Sequence, residues 1–436
     1  MLSSEDNELL TRTGPGTPMG DLMRRYWLPA LVSHELPTPD CAQMRLRILG
    51  EDLIAFRATD GRVGIVDEVC PHRRASLYFA RNEDHGLRCA YHGWKFNVDG
   101  DCVEIPSEPD YDQWNTKPRI KAYPAIDHGG VVWVYMGPPD RNPAPPELEW
   151  TLTPDPHRYV ARRLQECNWL QGIEGGIDPV HVPFLHRDGI PGARPKDGNG
   201  SGPLNVFGPE QDYTLDTAWH YESEESEGGI HVVVRRNTGD GANYWRISEM
   251  ILPCFSHAPP YGDDPFLPSN AWVPRDDTSL WRWNIASHPM RPLTVDERGA
   301  MASGQGVFAE VDPETLRPLA NIDNDYFMDR EGQQRGDTFS GIPGVAQQDQ
   351  SIQESQGLIH QRSGEFLMAS DKSIIMMRNR LLAAIKTMQA GGEPPGLDGS
   401  AQRVRSATLV APDNIGLAEL SKEALKTRPG VALTAG

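Results

Sequence analysis

Cys70-Pro71-His72, then sixteen residues, then Cys89-Ala90-Tyr91-His92 decides how the N-terminal third of this chain folds. Each arm offers one thiolate and one imidazole. Such a set binds zinc or a [2Fe-2S] cluster. A zinc finger more often pairs Cys with Cys in one arm and His with His in the other. Here each arm mixes the two, so each arm can reach both irons of a cluster. Thiolates would hold the inner iron. Neutral imidazoles on the outer iron remove negative charge and raise the reduction potential. Pro71 stiffens the first loop, and Gly93 lets the chain turn directly after the last ligand. The flanks Leu53–Arg57, Val63–Val66 and Lys95–Val98 read as strands, with a turn at Asp99-Gly100. Two loops presented by β-hairpins make a rigid cluster site. The competing readings, a zinc ribbon or four scattered core residues, fit neither the mixed arms nor the strand context.

A second spacing lies downstream: Asp178-x-x-His181-x-x-x-x-His186, inside Glu174-Gly175-Gly176-Ile177-Asp178-Pro179-Val180-His181-Val182-Pro183-Phe184-Leu185-His186. A ferrous iron that binds dioxygen takes two imidazoles and one carboxylate and keeps open positions. His181 and His186 supply the imidazoles. If the segment is helical, Asp178 and His181 share a face, and Pro183 ends or kinks the helix so that His186 swings back. The carboxylate is Asp178 itself or comes from elsewhere. One source is the amphipathic stretch Gln347-Gln348-Asp349-Gln350-Ser351-Ile352-Gln353-Glu354.

Cys70-Pro-His72-Arg73 with Cys89-Ala-Tyr-His92-Gly93-Trp94 resembles the Rieske domain of the Rieske non-haem iron oxygenases. One departure is Arg74, where a glycine often stands. The runs Glu5–Leu10, Gly14–Gly20, Arg24–Trp27 and Gln353–Gly357 resemble the phthalate dioxygenase branch of these aromatic-ring-hydroxylating enzymes, whose oxygenase has only an α-type subunit. The likeness covers nearly the whole chain. It implies a [2Fe-2S] cluster on Cys70, His72, Cys89 and His92. It also implies a mononuclear Fe(II) on His181, His186 and Asp349, with Glu354 as a spare carboxylate. Asp178 would be the catalytic aspartate bridging the two centres, so that electrons pass from His92 through Asp178 to His181 between neighbouring subunits of a homotrimer or stacked homohexamer. An NADH-dependent flavin/iron-sulfur reductase would be the partner. The substrates would be O2 and a small aromatic compound. Pro179 and Pro183 replace residues that are often serine in that branch, which argues against phthalate itself.

The fold this implies is α+β. An N-terminal all-β Rieske domain with a helical lead-in spans 1–146. A catalytic domain with an antiparallel sheet of the helix-grip (Bet v1-like) type spans 147–436. The Pro-rich run 136–146 reads as the linker. Alternating segments at Gly229–Val234, Asn243–Ser248 and Leu280–Ile285 read as strands. Ser370-Asp371 would cap a long helix with Ile374, Ile375, Leu381, Leu382, Ile385 and Met388 on its apolar side. A short helix is expected around Met19 to Trp27, and the last forty or so residues read as loosely structured.

Composition agrees. The chain has 436 residues, 38% hydrophobic and 24% charged, as in globular domains. A net charge of -19 argues against nucleic acid or an anionic membrane as partner. No apolar run approaches a membrane span and no signal peptide opens the chain, which suggests a cytoplasmic enzyme. Cys41, Cys102, Cys167 and Cys254 read as free thiols. Arg73, Arg74 and Lys95 form a basic rim suited to an acidic redox partner. Arg235 and Arg236 alternate across a strand, so only one can point inward. Arg246, among apolar neighbours, is the candidate for reading a substrate carboxylate through two parallel hydrogen bonds, against the plainer alternative of a structural ion pair.

The expected function is hydroxylation or dihydroxylation of an aromatic, carboxylated substrate. The alternatives are a Rieske monooxygenase doing O- or N-dealkylation or diaryl-ether cleavage, and, outside catalysis, a Rieske electron carrier or a zinc-binding interaction protein. A bare carrier has no use for His181, His186 and Asp349.

Overall fold

The structure, a computed structural model, describes residues 2–186, 219–238, 241–260 and 266–427. They form two compact units. One is Thr13–Pro145, and the other joins Met1–Arg12 to Pro146–Gly436.

The Thr13–Pro145 unit is built of short antiparallel strands. In chain order they are Trp27–Val32 (β1), Met44–Ile48 (β2), Glu51–Arg57 (β3), Val63–Asp67 (β4), Arg81–Glu83 (β5), Gly86–Arg88 (β6), Lys95–Phe96 (β7), Cys102–Glu104 (β8), Ala122–Tyr123 (β9), Ala125–His128 (β10) and Val131–Tyr135 (β11). They pair as β1-β11-β10, β2-β3-β4-β9 and β5-β6-β7-β8. Ile54, Phe56, Val66, Leu87 and Phe96 form one apolar cluster, and Cys70 and Cys89 belong to it. Gly64 is needed there, because a Cβ on it would lie 2.4 Å from the Phe56 ring. The expected helix ends early, at Pro18–Met23, and Trp27 already opens β1.

The larger unit carries an antiparallel sheet. Its strands are Arg158–Gln165 (β12), His220–Glu225 (β13), Gly229–Asn237 (β14), Ala242–Ile251 (β15), Phe255–His257 (β16), Leu267–Pro274 (β17), Leu280–Ser287 (β18) and Ala407–Pro412 (β19). The order is β12-β18-β17-β16-β15-β14-β13, and β19 adds to β15 beside β16. The last forty residues are therefore not loose throughout: β19 pairs along six positions of β15, and Leu417–Ala424 is helical. Ala-Thr-Leu-Val-Ala-Pro lacks the alternation that marks a half-buried strand. Its burial comes from the partner strand.

Residues 1–12, read from sequence as part of the first domain, pack with the larger unit. The Trp169 indole N–H donates to the Leu10 carbonyl (3.0 Å), Asn168 Nδ2 donates to the Thr11 carbonyl (2.9 Å), and Arg362 Nη1 donates to Asn7 Oδ1 (3.0 Å). Such contacts between distant segments leave no periodic trace in the sequence. The long helix runs Lys372–Gln389 and buries Met377, Arg378, Leu381, Ala384 and Ile385, whereas Ile375 is exposed. Arg378 is inside because Glu174 and Glu365 accept its hydrogen bonds (2.6–2.8 Å).

Directly paired across β14 and β15 are His231 and the fully buried Glu249, with Nδ1 2.7 Å from Oε2. Burial pushes the Glu249 carboxyl up to about 7, with the His231 hydrogen bond opposing it only in part. For His231, burial works downward, but the Glu249 partner outweighs it and the ring titrates above its usual value. Both groups hold protons more tightly in the folded chain. The Glu249 contribution is complete below the unfolded carboxyl range and is lost as pH rises through about 7, and the His231 contribution is lost only above the ordinary histidine range. Glu249→Gln should therefore flatten the fall in Tm between mildly acidic and mildly alkaline pH. Thermal melts across that range with the wild-type slope in the variant would show the pair does not titrate on folding.

Candidate metal centres and active-site cavity

The first centre sits on two loops that repeat one backbone pattern. Cys70 N–H donates to the Ala75 carbonyl, and Arg74 N–H donates to the Cys70 carbonyl. Cys89 N–H donates to the Trp94 carbonyl, and Gly93 N–H donates to the Cys89 carbonyl (2.8–2.9 Å). Arg74 and Gly93 thus occupy equivalent positions, and both are left-handed, with φ of 62° and 77°. Glycine takes this conformation freely. Arginine pays roughly 1–2 kcal/mol for it, so Arg74 is held there by the loop around it.

Cys70 and Cys89 are almost wholly buried, while His72 is exposed and His92 half-buried. The two imidazole centroids are 4.4 Å apart, and His72 stacks on Trp94 at 4.7 Å. Burial, with Cys89 alongside, pushes the Cys70 thiol up to about 11. Two adjacent thiols in a low-dielectric site deprotonate only when a cation compensates them. Inner sulfurs and outer imidazoles are the donor set of a cluster with two thiolates on one iron and two histidines on the other. Of the expected basic rim, Arg73 and Arg74 are exposed. Lys95 is buried against Glu104 (3.2 Å) and is not part of it.

The second centre is positioned by a close-packed glycine face. The helix Trp169–Ile177 is capped by the Asn168 side chain. A Cβ on Gly172 or Gly176 would lie 2.3 or 2.0 Å from the Trp272 ring of β17, and one on Gly175 would lie 2.3 Å from Gln353. Only glycine lets this helix press onto both the sheet and the helix Val345–Ser355. Gln171 Nε2 fixes the helix pair by donating to the Gln353 carbonyl (3.0 Å).

Asp178 precedes Pro179, which disfavours helical backbone there, and the helix stops at Ile177. The Asp178–His186 stretch is therefore not one helix. His181 caps a single turn, Val182–Leu185, in which Pro183 occupies the first turn instead of breaking a helix. A proline is tolerated there because that N–H has no intrahelical partner.

His181, His186 and Asp349 converge. His181 Nε2 is 3.1 Å from His186 Nε2, His186 Nε2 is 2.9 Å from Asp349 Oδ1, and His181 Nε2 is 3.6 Å from Asp349 Oδ1. Glu354 is elsewhere. It is buried, accepting from Tyr326 OH, the Glu166 N–H and Gln350 Nε2. Asp178 is also outside the triangle, with Oδ2 3.4 Å from the opposite ring nitrogen, Nδ1, of His181.

Proton placement tests whether a metal fits. Gln348 Nε2 donates to the Ile342 carbonyl (2.9 Å), which orients its Oε1 towards His186. His186 therefore gives its Nδ1 proton to Gln348 (2.8 Å), and Nε2 presents a lone pair to the Asp349 carboxylate and to His181. Two acceptors 2.9 Å apart, the His186 lone pair and the Asp349 carboxylate, repel unless a cation lies beside them, and His181 Nε2 points to the same place. Metal bonds of about 2.1 Å at right angles leave donors about 3 Å apart, which these separations match. Burial alone would raise the Asp349 carboxyl, but the His186 and His181 rings and the Arg282 guanidinium around it hold it low, at about 2. Gln348, which sets the tautomer, was not singled out in the sequence. Its only signal is adjacency to Asp349.

Beside this triangle opens a cavity of about 130 Å3. Val232, Val234, Pro259, Pro268, Val307 and Val345 make apolar walls, and Arg246, Asn270 and Arg282 also line it. Arg246 is buried, and its contacts include Tyr244 OH and the Pro259 carbonyl (both 3.4 Å). Arg235 is instead paired with Glu222 (2.6 Å), and neither Arg235 nor Arg236 is among the lining residues.

Comparisons with known proteins agree with this architecture. Residues 26–124 match the Rieske [2Fe-2S] domain family, and residues 134–420 match the family described as LigXa C-terminal domain like. The chain is 36% identical to the 3-chlorobenzoate-3,4-dioxygenase oxygenase subunit of Comamonas testosteroni, over 95% of this chain and 96% of that one. It is 38% identical to the phthalate 4,5-dioxygenase oxygenase subunit of Pseudomonas putida, over 90% and 88% of the two chains. Among solved structures, dicamba monooxygenase bound to 3,6-dichlorosalicylic acid is similar in fold, with a TM-score of 0.58, 16% identity and 84% and 98% coverage.

Proposed function

Because this chain belongs to the Rieske non-haem iron oxygenases, and is the oxygenase component of such a system, we propose that it oxidises an aromatic carboxylate. In this reading Cys70, His72, Cys89 and His92 hold the [2Fe-2S] cluster, and His181, His186 and Asp349 hold the mononuclear iron. When bound, these groups supply single-electron transfer and dioxygen activation. The observation that carries the reading is the triangle of two imidazoles and a carboxylate opening onto an apolar cavity that contains a guanidinium.

The residues divide the work. Gln348 fixes the tautomer of His186. Asp178 faces the outer nitrogen of His181, where a carboxylate raises ligand basicity and holds the ring. We assign it also the link to the Rieske centre of a neighbouring copy, the partner subunit's His92, in a homotrimer or stacked pair of trimers. The Asp178 side chain is 24% exposed and His92 is half-buried, so both keep an accessible edge for such a link. Arg246 turns the substrate carboxylate towards one wall, and the valines and prolines opposite exclude water from the ring. Reduction would come from a separate NADH-dependent reductase in the cytoplasm, docking near Arg73 and Arg74. Among the described residues no helix is long and apolar enough to cross a membrane.

Arg246→Ala should raise KM for an aromatic acid roughly ten- to hundredfold, as expected for losing a charge-assisted hydrogen bond of about 1.5–3 kcal/mol. Iron and sulfide content should not change. The deciding comparison is benzoate-type acids against their amides, with a matched reductase, following oxygen uptake and product mass. Equal turnover of acid and amide would remove the carboxylate reading and favour an aryl-ether or N-alkyl substrate.

A further inference from the structure

We infer that Arg282 is a second specificity-determining residue of this cavity, donating from Nη1 to a second anionic group on the substrate. This rests on the reading of Arg246 as the first carboxylate contact.

Arg282 lies on β18, is 6% exposed and lines the cavity next to Asn270 and Asp349. Its guanidinium is clamped. Cζ lies 4.0 Å from the Trp272 ring centroid, and Nη2 donates to Asn270 Oδ1 (3.1 Å). Asn270 Oδ1 also accepts from Asn284 Nδ2 (3.0 Å), and Asn284 Oδ1 accepts from Arg163 Nη1. The side chain therefore has no freedom to seek a partner elsewhere. Nη1 is buried and has no hydrogen-bond partner among the described residues. An unmet buried donor of this kind costs about 1–3 kcal/mol, more when charged.

Charge sharpens the point. Three other buried arginines of this unit are given carboxylates directly: Arg362 by Glu174, Arg378 by Glu174 and Glu365, and Arg405 by Glu149. Arg282 is not. Opposite it across β12 and β18 is Arg163, also buried, which donates to Asn284 and to the Val307 carbonyl. The acid whose field reaches both is Asp349, and that carboxylate belongs to the metal triangle. Once it serves a cation, Arg163 still has the field of Glu354, but Arg282 has no other carboxylate acting on it among the described residues. A neutral substrate would leave it so, whereas an anionic group placed at Nη1 would satisfy both donor and charge.

Arg282 does not duplicate Arg246. β18 and β15 are separated by β17 and β16, about 14 Å between backbones at ordinary strand spacing. The two arginines project from strands that are not neighbours in the sheet, so Arg282 is assigned a group on the ring other than the one Arg246 takes.

The test is anaerobic calorimetric titration of the metal-loaded protein with benzoate, benzamide and the three benzenedicarboxylates. The wild-type protein should bind at least one dicarboxylate tenfold or more tighter than benzoate. Arg282→Gln should erase that margin while leaving benzoate affinity within twofold and iron content unchanged, and Arg282→Lys should restore part of it. Equal weakening of benzoate and dicarboxylates, or loss of iron from the variant, would overturn the inference and make Arg282 a support for Asp349. If the glutamine variant does not fold, the wild-type ranking decides, since no dicarboxylate above benzoate overturns it. Benzamide binding as tightly as benzoate would instead bring down the Arg246 reading.

Discussion

His186→Ala should abolish product formation and remove the mononuclear iron, yet leave the cluster irons, the acid-labile sulfide and the visible Rieske bands at wild-type levels. The residues proposed for the two centres are separate and lie in separate compact units, so damage to one need not reach the other. His186 is the most buried member of the triangle, at 3% exposure, and contacts both other donors. Its removal leaves one imidazole and one carboxylate, too few to hold iron against the open positions oxygen chemistry needs. Metal and sulfide analysis with product assay checks this. Retained turnover would show that the iron is held elsewhere.

Asp178→Asn should behave differently, keeping both metals and losing activity by at least the roughly 10–100-fold typical of removing a partner of a metal-binding histidine. Its carboxylate lies on the far side of the His181 ring from the triangle, so asparagine preserves the shape but removes the charge. The readout is reoxidation of the reduced cluster on mixing with oxygen and substrate, which should slow along with turnover. A variant that lost iron would make Asp178 a direct ligand, and one that reoxidised at the wild-type rate would take it out of the electron path.

What the sequence shows plainly here is whatever the chain builds locally. Cys89 and His92 lie on the loop joining β6 to β7, Cys70 and His72 on the loop from β4, in a separate sheet, to β5, and their spacing with one Cys and one His per arm points to cluster chemistry. His181 and His186 are five residues apart. Asp349 is 163 residues beyond His186, and only the resemblance ties it to them. Between Asp349 and Glu354 the sequence has no means of choosing, because both lie on one helix. Burial against Tyr326 sets Glu354 apart. The break at Pro179 and the one-turn helix that follows are a contest between two prolines, which helical spacing alone misreads as one kinked helix. The glycines at 172, 175 and 176 read as loosening a helix, yet they are what lets it approach Trp272 and Gln353. Arg282 left no mark at all: Trp281-Arg282-Trp283 looks like any alternating strand, and its importance appears only when its missing carboxylate is compared with those of Arg362, Arg378 and Arg405.

The most direct test of the account exchanges the metal in the His181, His186 and Asp349 site without touching the protein. The mononuclear iron is removed by chelation, and the site is refilled with Fe2+ or with Zn2+, which accepts the same donors but has no redox chemistry. Each form is reduced at its cluster, freed of reductant and mixed with oxygen and a bound aromatic acid. The account predicts hydroxylated product and cluster reoxidation in the Fe2+ form, and neither on the same timescale in the Zn2+ form. Product from the zinc-filled protein would contradict it.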